Sequence, residues 1–226
     1  MTPADPRAAL RPGFVLALLL GVGSLGASGC GAEAPDRAAA GEGRRPAALH
    51  GRVTENPGPR PDFVLHDMRG GTYDFRAETG GVLTLLFFGY THCPDVCPIH
   101  MSSIAEVKRD LGAEFGRRTR VVFVTVDPAR DTPERLRTWL GGFDPEFVGL
   151  YGDADVVDEI QRGLGLPAAV VPDTSAPDYE VGHAAPVIAF PPNDSIRVSY
   201  PFGTRQADWG HDLPLLVEFD GSAAAP

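Results

Sequence analysis

A chain of 226 residues with 43% hydrophobic content can bury one core of ordinary size with segments to spare, so neither disulfides nor a metal are needed to hold the fold. Thirty acidic against 20 basic residues leave a net charge of −10, and with no basic block to meet phosphates this argues against nucleic-acid binding. In chain order, the first segment reads as an export signal. Arg7 and Arg11 precede a short apolar run, residues 14–25, too brief to span a bilayer comfortably, and Ala27, Ser28 and Gly29 then set small residues before Cys30.

That junction resembles the bacterial lipoprotein signal, in which the cysteine is lipidated and becomes the new N-terminus, with Ala27 standing where Leu is usual. The resemblance implies a signal over residues 1–29, lipidation at Cys30, and an extracytoplasmic domain anchored to the cell membrane on its periplasmic or outer face. The alternative is a plain secretory peptide cleaved nearby, leaving Cys30 as a free thiol. Residues 30–60 are rich in Ala, Gly, Pro, Arg and Glu without apolar periodicity and read as a flexible tether. The working domain is then 61–220, followed by a tail, 221–226.

From Pro61 onward strands and helices alternate. Residues 63–65 and 72–75 read as a strand pair around the Arg69-Gly70-Gly71 turn, and 82–88 as a buried strand. Residues 96–115 form an amphipathic helix with Ile104, Val107, Leu111 and Phe115 on its core face. A second buried strand, 120–126, precedes a helix capped by Thr132, with Pro133 at its first position and Trp139 and Leu140 near its end. Strand 147–151, helix 154–164, strands 179–181, 186–190 and 195–200, and a last helix, 206–218, complete the domain. Pro214 should bend or restart that helix. The alternation predicts an α/β fold: a central, mainly parallel sheet flanked by helices, with an N-terminal strand pair.

The segment Phe88-Gly89-Tyr90-Thr91-His92-Cys93-Pro94-Asp95-Val96-Cys97-Pro98 sets two cysteines four residues apart where a strand gives way to a helix. Residues i and i+4 share a helix face, and the positive end of the macrodipole favours thiolate over thiol. Two converging thiolates make either a redox pair or a soft-metal clamp. The placement is thioredoxin-like, although the spacing is C-x-x-x-C rather than C-x-x-C. Pro94 and Pro98 stiffen the loop, and Asp95 is an acidic neighbour expected to oppose thiolate formation.

Two further segments accompany it: Val126-Asp127-Pro128-Ala129-Arg130-Asp131-Thr132-Pro133 and Tyr179-Glu180-Val181-Gly182-His183. Together and in this order, the three resemble the signatures of the Sco (SenC) family of copper chaperones, over roughly residues 61–219. The resemblance implies a thioredoxin-like fold and one copper ion, Cu(I) or Cu(II), held by Cys93, Cys97 and His183. It also implies delivery to the CuA centre in subunit II of cytochrome c oxidase, with a copper donor protein and a thioredoxin-like reductant as further partners. Asp127 would lie near the metal loop, supporting the site or docking a partner rather than binding copper. Gly182 and Ala184 stand where that family usually has Asp and Ser, which bears on the support of His183.

The remaining polar residues have local readings. Asp127-Pro128 makes a turn, Asp131 or Thr132 caps a helix, and Arg130 pairs with a carboxylate. His100 reads as part of an exposed face, Met101 as a core contact and His92 as a turn residue near solvent. His50 falls in the tether, and His66 and His211 have no ligand-like company. Beside copper delivery stands a second function, thiol–disulfide exchange on client cysteines, with Cys93 attacking and Cys97 resolving. A copper or redox sensor is a third.

Overall fold

The computed structural model describes residues 49–54, 57–171, 174 and 178–219; the segment expected as an export signal, Cys30, the expected tail, and residues 30–48, 55 and 56 of the expected tether lie outside them. The strands are β1 (Arg52–Thr54), β2 (Val64–Asp67), β3 (Thr72–Asp74), β4 (Leu83–Gly89), β5 (Thr119–Thr125), β6 (Val148–Tyr151), β7 (Val187–Phe190) and β8 (Arg197–Tyr200). The helices are α1 (Phe75–Thr79), α2 (Val96–Arg117), α3 (Pro133–Gly141), α4 (Ala154–Gly163) and α5 (Gln206–Val217). All eight strands join one sheet in the order β1-β8-β7-β4-β5-β6-β2-β3. β4 lies in its interior with every residue buried, as its unbroken Leu-Thr-Leu-Leu-Phe-Phe-Gly run requires of a strand covered on both faces.

The α/β class and the helix-flanked sheet are those expected, but parallel pairing is confined to β4–β5–β6. The other five pairings are antiparallel. Connections decide this: α2 and α3 each supply a helical crossover, whereas β2–β3 and β7–β8 are joined by short turns that can only return the chain antiparallel. In the first of those turns the Asp67 carboxylate accepts from the main-chain N–H of Arg69 (2.8 Å) and of Gly71 (2.9 Å).

Side-chain caps set the element ends. Asp74 accepts from Ala77 N (3.0 Å), which ends β3 one residue early and opens α1, a helix the apolar pattern alone did not suggest. Thr132 Oγ1 accepts from Arg135 N (3.2 Å) at the start of α3, with Pro133 in the first position. The long helix α2 is interrupted at Gly112, whose φ of 84° only glycine adopts cheaply. Residues 179–181, expected as a strand, are irregular, and only the bridge between Val170 and Gly182 marks that region (N···O 2.7 and 2.9 Å). β7 begins after Pro186, so the proline never sits inside the ladder.

The tether reading fails at its C-terminal end. β1 pairs with β8, and the main-chain N–H groups of His50 and Gly51 donate to Asp212 Oδ2 (2.9 Å each), which also accepts from the Tyr200 hydroxyl (3.0 Å). Arg60 is only 2% exposed, and its guanidinium donates to Thr79 O (2.5 Å), Thr84 Oγ1 (2.9 Å) and Pro191 O (2.9 Å) and pairs with Asp194 (2.6 Å). A three-residue strand is too short to show alternation, and its anchors lie about 160 residues away in sequence, so composition alone reads the segment as linker.

For the site, one feature of the topology matters most. The C-terminal ends of β4 and β5 lie side by side, with Gly89 opposite Thr125. β7 runs antiparallel to β4, with Leu86 opposite Ile188, so the chain enters β7 at that same end. Three connecting segments therefore meet at one edge, as sites in such sheets do.

The Asp212 clamp yields a stability test. Asp212→Ala strands the buried Gly51 N–H, the part-buried His50 N–H and the buried Tyr200 hydroxyl, and should cost about 3 kcal/mol in urea unfolding. A loss below about 0.5 kcal/mol would show that residues 49–54 are not held by this carboxylate.

Candidate metal centre

The loop after β4 carries Cys93, the first turn of α2 carries Cys97, and the irregular segment before β7 carries His183. The structure brings one ligand atom of each within 4.8 Å of the others. Cys97 Sγ lies 3.6 Å from His183 Nε2, and Cys97 N lies 3.5 Å from Cys93 Sγ. Bonds of ~2.3 Å to sulfur and ~2.0 Å to nitrogen, set at a trigonal angle, put two such ligands ~3.7 Å apart, so the pair already has the spacing of groups sharing an ion. Both cysteines are free thiols; Cys97 is fully buried and Cys93 nearly so.

The imidazole is preset for this role. His183 Nδ1 is 2.9 Å from Ala184 O, an acceptor for a ring N–H, and this contact orients the ring with Nε2 toward the sulfurs. The ring stands edge-on to Phe87 and Tyr90, with centroids at 6.0 and 5.5 Å. Support thus comes from the chain's own carbonyl, and the missing side chains at Gly182 and Ala184 do not remove it.

The two thiols are driven apart in acidity. A hydrogen bond from the Cys97 thiol is the main cause holding Cys93 down at about 4 against the effect of burial, assisted by the main-chain N–H of Cys97, the His183 side chain and the main-chain N–H of Asp95. Burial, with the Cys93 charge beside it, pushes Cys97 well above the ordinary thiol range. The metal-free site is therefore one thiolate and one thiol. Asp95 does not act as the sequence suggested: its carboxylate caps α2 through Val96 N (2.6 Å), while its own N–H favours the Cys93 thiolate.

Several residues fix this geometry. A Cβ at Gly89 would meet Cys97 Sγ at 2.7 Å and Phe87 at 2.8 Å, so only glycine lets the sulfur reach the end of β4. Asp131, expected as an alternative helix cap, is instead buried under the cysteine loop, where Thr91 N (2.9 Å), Thr91 Oγ1 (2.6 Å) and Thr125 Oγ1 (2.6 Å) donate to it. Asp127 accepts from the Tyr179 hydroxyl (2.7 Å) and from Arg130 Nε (2.5 Å), and the Arg130 guanidinium lies 3.5 Å over the Tyr179 ring. Asp127 thus bears on the site through Tyr179, four residues before His183.

Among the other histidines, His100 departs from expectation. It is buried, not exposed, with Nε2 3.1 Å from Ala185 O, and burial keeps its pKa below the usual imidazole value. Met101 is fully buried in the core, and the His92 side chain is 38% exposed beside Asp131. His50 and His211, expected in a tether and without company, form a second cluster with Asp212. Their rings stack at 4.5 Å with planes 7° apart, and each Nδ1 lies 2.7 Å from a carboxylate oxygen, of Asp208 and Asp212 respectively. An imidazole binds a metal in its own plane, so two parallel stacked rings cannot aim at one ion. The cluster clamps the N-terminal segment to α5.

Known proteins resemble this chain in sequence and in fold. The family model SCO1/SenC matches residues 53–217. The mitochondrial SCO2 homolog of Bos taurus is 34% identical over 148 residues, which are 65% of this chain and 55% of that protein's length. Among solved structures, copper-bound ScoI of Bradyrhizobium japonicum is 30% identical with a TM-score of 0.62, covering 71% of this chain and all of that one. Apo Sco1 of Thermus thermophilus is 28% identical with a TM-score of 0.66, covering 75% and 98%.

The split acidity of the thiols can be read directly. In reduced, metal-free protein, ultraviolet absorbance near 240 nm should show one thiolate already present at pH 6, titrating near pH 4 and lost in Cys93→Ser. Two thiolates appearing together around pH 9 would contradict it.

Proposed function

The chain belongs to the SCO1/SenC family, and from that premise and the Cys93–Cys97–His183 geometry we propose that it is a copper carrier which delivers its ion to an acceptor outside the cytoplasm. The observation that carries this reading is the donor set itself. Two sulfurs suit Cu(I), and one imidazole nitrogen at sharing distance makes the site usable by Cu(II) as well. Copper is cargo here, so the site must also release it. Of the two sulfurs, Cys93, at 8% exposure and already a thiolate, is the one more open to an incoming donor or acceptor, beside the partly exposed His183. Cys97, sealed against β4, is the last to let go. His183 reports oxidation state, because Cu(I) remains satisfied on two thiolates when the imidazole leaves.

By family reading, the acceptor is the CuA centre in subunit II of cytochrome c oxidase, loaded by ligand exchange on the membrane's outer face. A copper donor protein lies upstream, and a thioredoxin-like reductant keeps the cysteines reduced. Lipidation at Cys30, after removal of residues 1–29, would tether the domain beside that client.

A second reading, thiol–disulfide exchange, draws on the asymmetry of the pair. The Cys93 thiolate attacks a client disulfide, forming a mixed disulfide and releasing one client thiolate. Cys97 then gives up its proton, attacks Cys93 Sγ and frees the second client thiolate. Two electrons pass to the client and an extracytoplasmic dithiol restores the pair. The same protein could reduce a client's cysteines and then metallate them.

The test is a competitive titration with Cu(I) and Cu(II). Wild type should bind one ion per chain, releasing about one proton at pH 7, from Cys97, because Cys93 has already lost its own. Cys97→Ser should lose tight Cu(I) binding, and His183→Ala should lose at least ~10-fold in Cu(II) affinity while keeping Cu(I). Copper binding indifferent to both substitutions, with rapid reduction of a model disulfide, would favour the exchange reading instead.

A further inference from the structure

We propose that His100 is a positioning residue: it locks the segment carrying His183 onto the helix carrying the two thiols, and so decides whether the imidazole reaches the metal. The inference rests on the copper reading of the site. Cys97 and His100 sit three apart on α2, neighbours on one side of the helix. His183 lies 86 residues from Cys97, on a segment with no ladder of its own. Something must hold the two together when no ion bridges them.

His100 is placed to do so. It is 2% exposed, and its Nε2 lies 3.1 Å from Ala185 O; a carbonyl accepts, so the imidazole N–H donates whatever the ring's charge. The preceding carbonyl, of Ala184, accepts from His183 Nδ1. Consecutive carbonyls are therefore divided: one aims the ligand ring, and the other is tied to α2. Among the described residues this is the one side-chain hydrogen bond, apart from the Cys97–His183 contact, that joins α2 to residues 181–186. The His100 ring cannot easily turn away, since Phe87, Phe202 and Trp209 surround it with centroids at 5.1, 5.9 and 6.4 Å. Val181 and Ala184 pack inside at 4% and 5% exposure, but neither they nor Gly182 can hydrogen-bond through a side chain to fix the direction of the main chain. From the other end, Tyr179 is held by Asp127 and Gly182 is bridged to Val170, so His100 supplies the hold on the C-terminal side of the ligand.

The consequence is selective. Without the His100 bond the carbonyl of Ala185 is released, the segment loosens, and the imidazole is lost as a dependable ligand while both thiolates stay in place. His100→Leu should weaken Cu(II) binding roughly tenfold, change Cu(I) affinity by less than about threefold, and alter the Cu(II) absorption and electron paramagnetic resonance spectra. In metal-free protein it should speed hydrogen exchange of the main-chain amides of residues 182 to 185. His100→Gln places an amide N–H near the original Nε2 and should restore most of the wild-type behaviour. His100→Asn, equally polar but too short, should not, and this pair keeps the test sound where the Leu variant folds poorly.

Wild-type Cu(II) affinity, spectra and exchange in both His100→Leu and His100→Asn, alongside a weakened His183→Ala, would overturn the proposal and leave the copper site standing. Equal Cu(II) affinity in wild type and His183→Ala would instead overturn the reading of the site beneath it, and the proposal with it.

Discussion

The sulfur of Cys97 is buried to zero exposure against the last residue of β4, and the rest of the site answers to that burial. A thiol in this position resists ionisation, so it stays protonated and gives its hydrogen to the sulfur of Cys93, which can then hold a charge at far lower pH. Only a soft cation, neutralising the charge it induces, makes a second thiolate there tolerable. The same burial demands a glycine at position 89 and an aromatic wall at Phe87. On the carrier reading proposed above, a deep thiol beside a shallow one would also give transfer an order, the shallow thiol exchanging first and the deep one retaining the ion until an acceptor has engaged it.

Holding three ligands from three loops costs order in each, and the protein supplies it with buried carboxylates rather than with metal. Asp131 fixes the cysteine loop through Thr91, and Asp127 fixes the histidine segment through Tyr179. Both follow β5, whose end lies beside that of β4, so one short stretch, residues 127–131, supports both halves of the site. Asp212 does the equivalent work at the other end of the chain, drawing residues 50 and 51 onto α5. Such charges are tolerable inside only because every one is met by several donors.

How far the sequence could be read follows the range of the interactions involved. β4, β5 and α3 announce themselves through long apolar runs, a Thr cap and a Pro at the first helical position. Cys93 and Cys97 are legible because both sit within one turn of a predicted helix start. His183 was not legible from geometry, lying 86 residues from its partner; only the combined motifs pointed to it. β1 was missed because three residues carry no period. Two signals were present and went unread. His100 precedes Ile104 by four residues and so falls on the same core-facing side of α2, which makes its burial deducible. Gly89 ends a buried strand just before the cysteine loop, where a glycine marks close approach by a neighbouring group. Asp131 and Asp127 were ambiguous in principle, since a loop aspartate that caps a helix and one that anchors a distant threonine look alike in sequence.

On the proposed reading, two sulfurs and one imidazole from three separate connections share one copper ion. X-ray absorption at the copper edge tests it most directly, on the wild-type protein loaded with Cu(II) and on the same sample after reduction. Two sulfur ligands are expected in both states, with one imidazole nitrogen whose multiple-scattering signature disappears from the Cu(II) spectrum of His183→Ala. A Cu(II) spectrum with fewer than two sulfurs, or with an imidazole signature unchanged in His183→Ala, would contradict it.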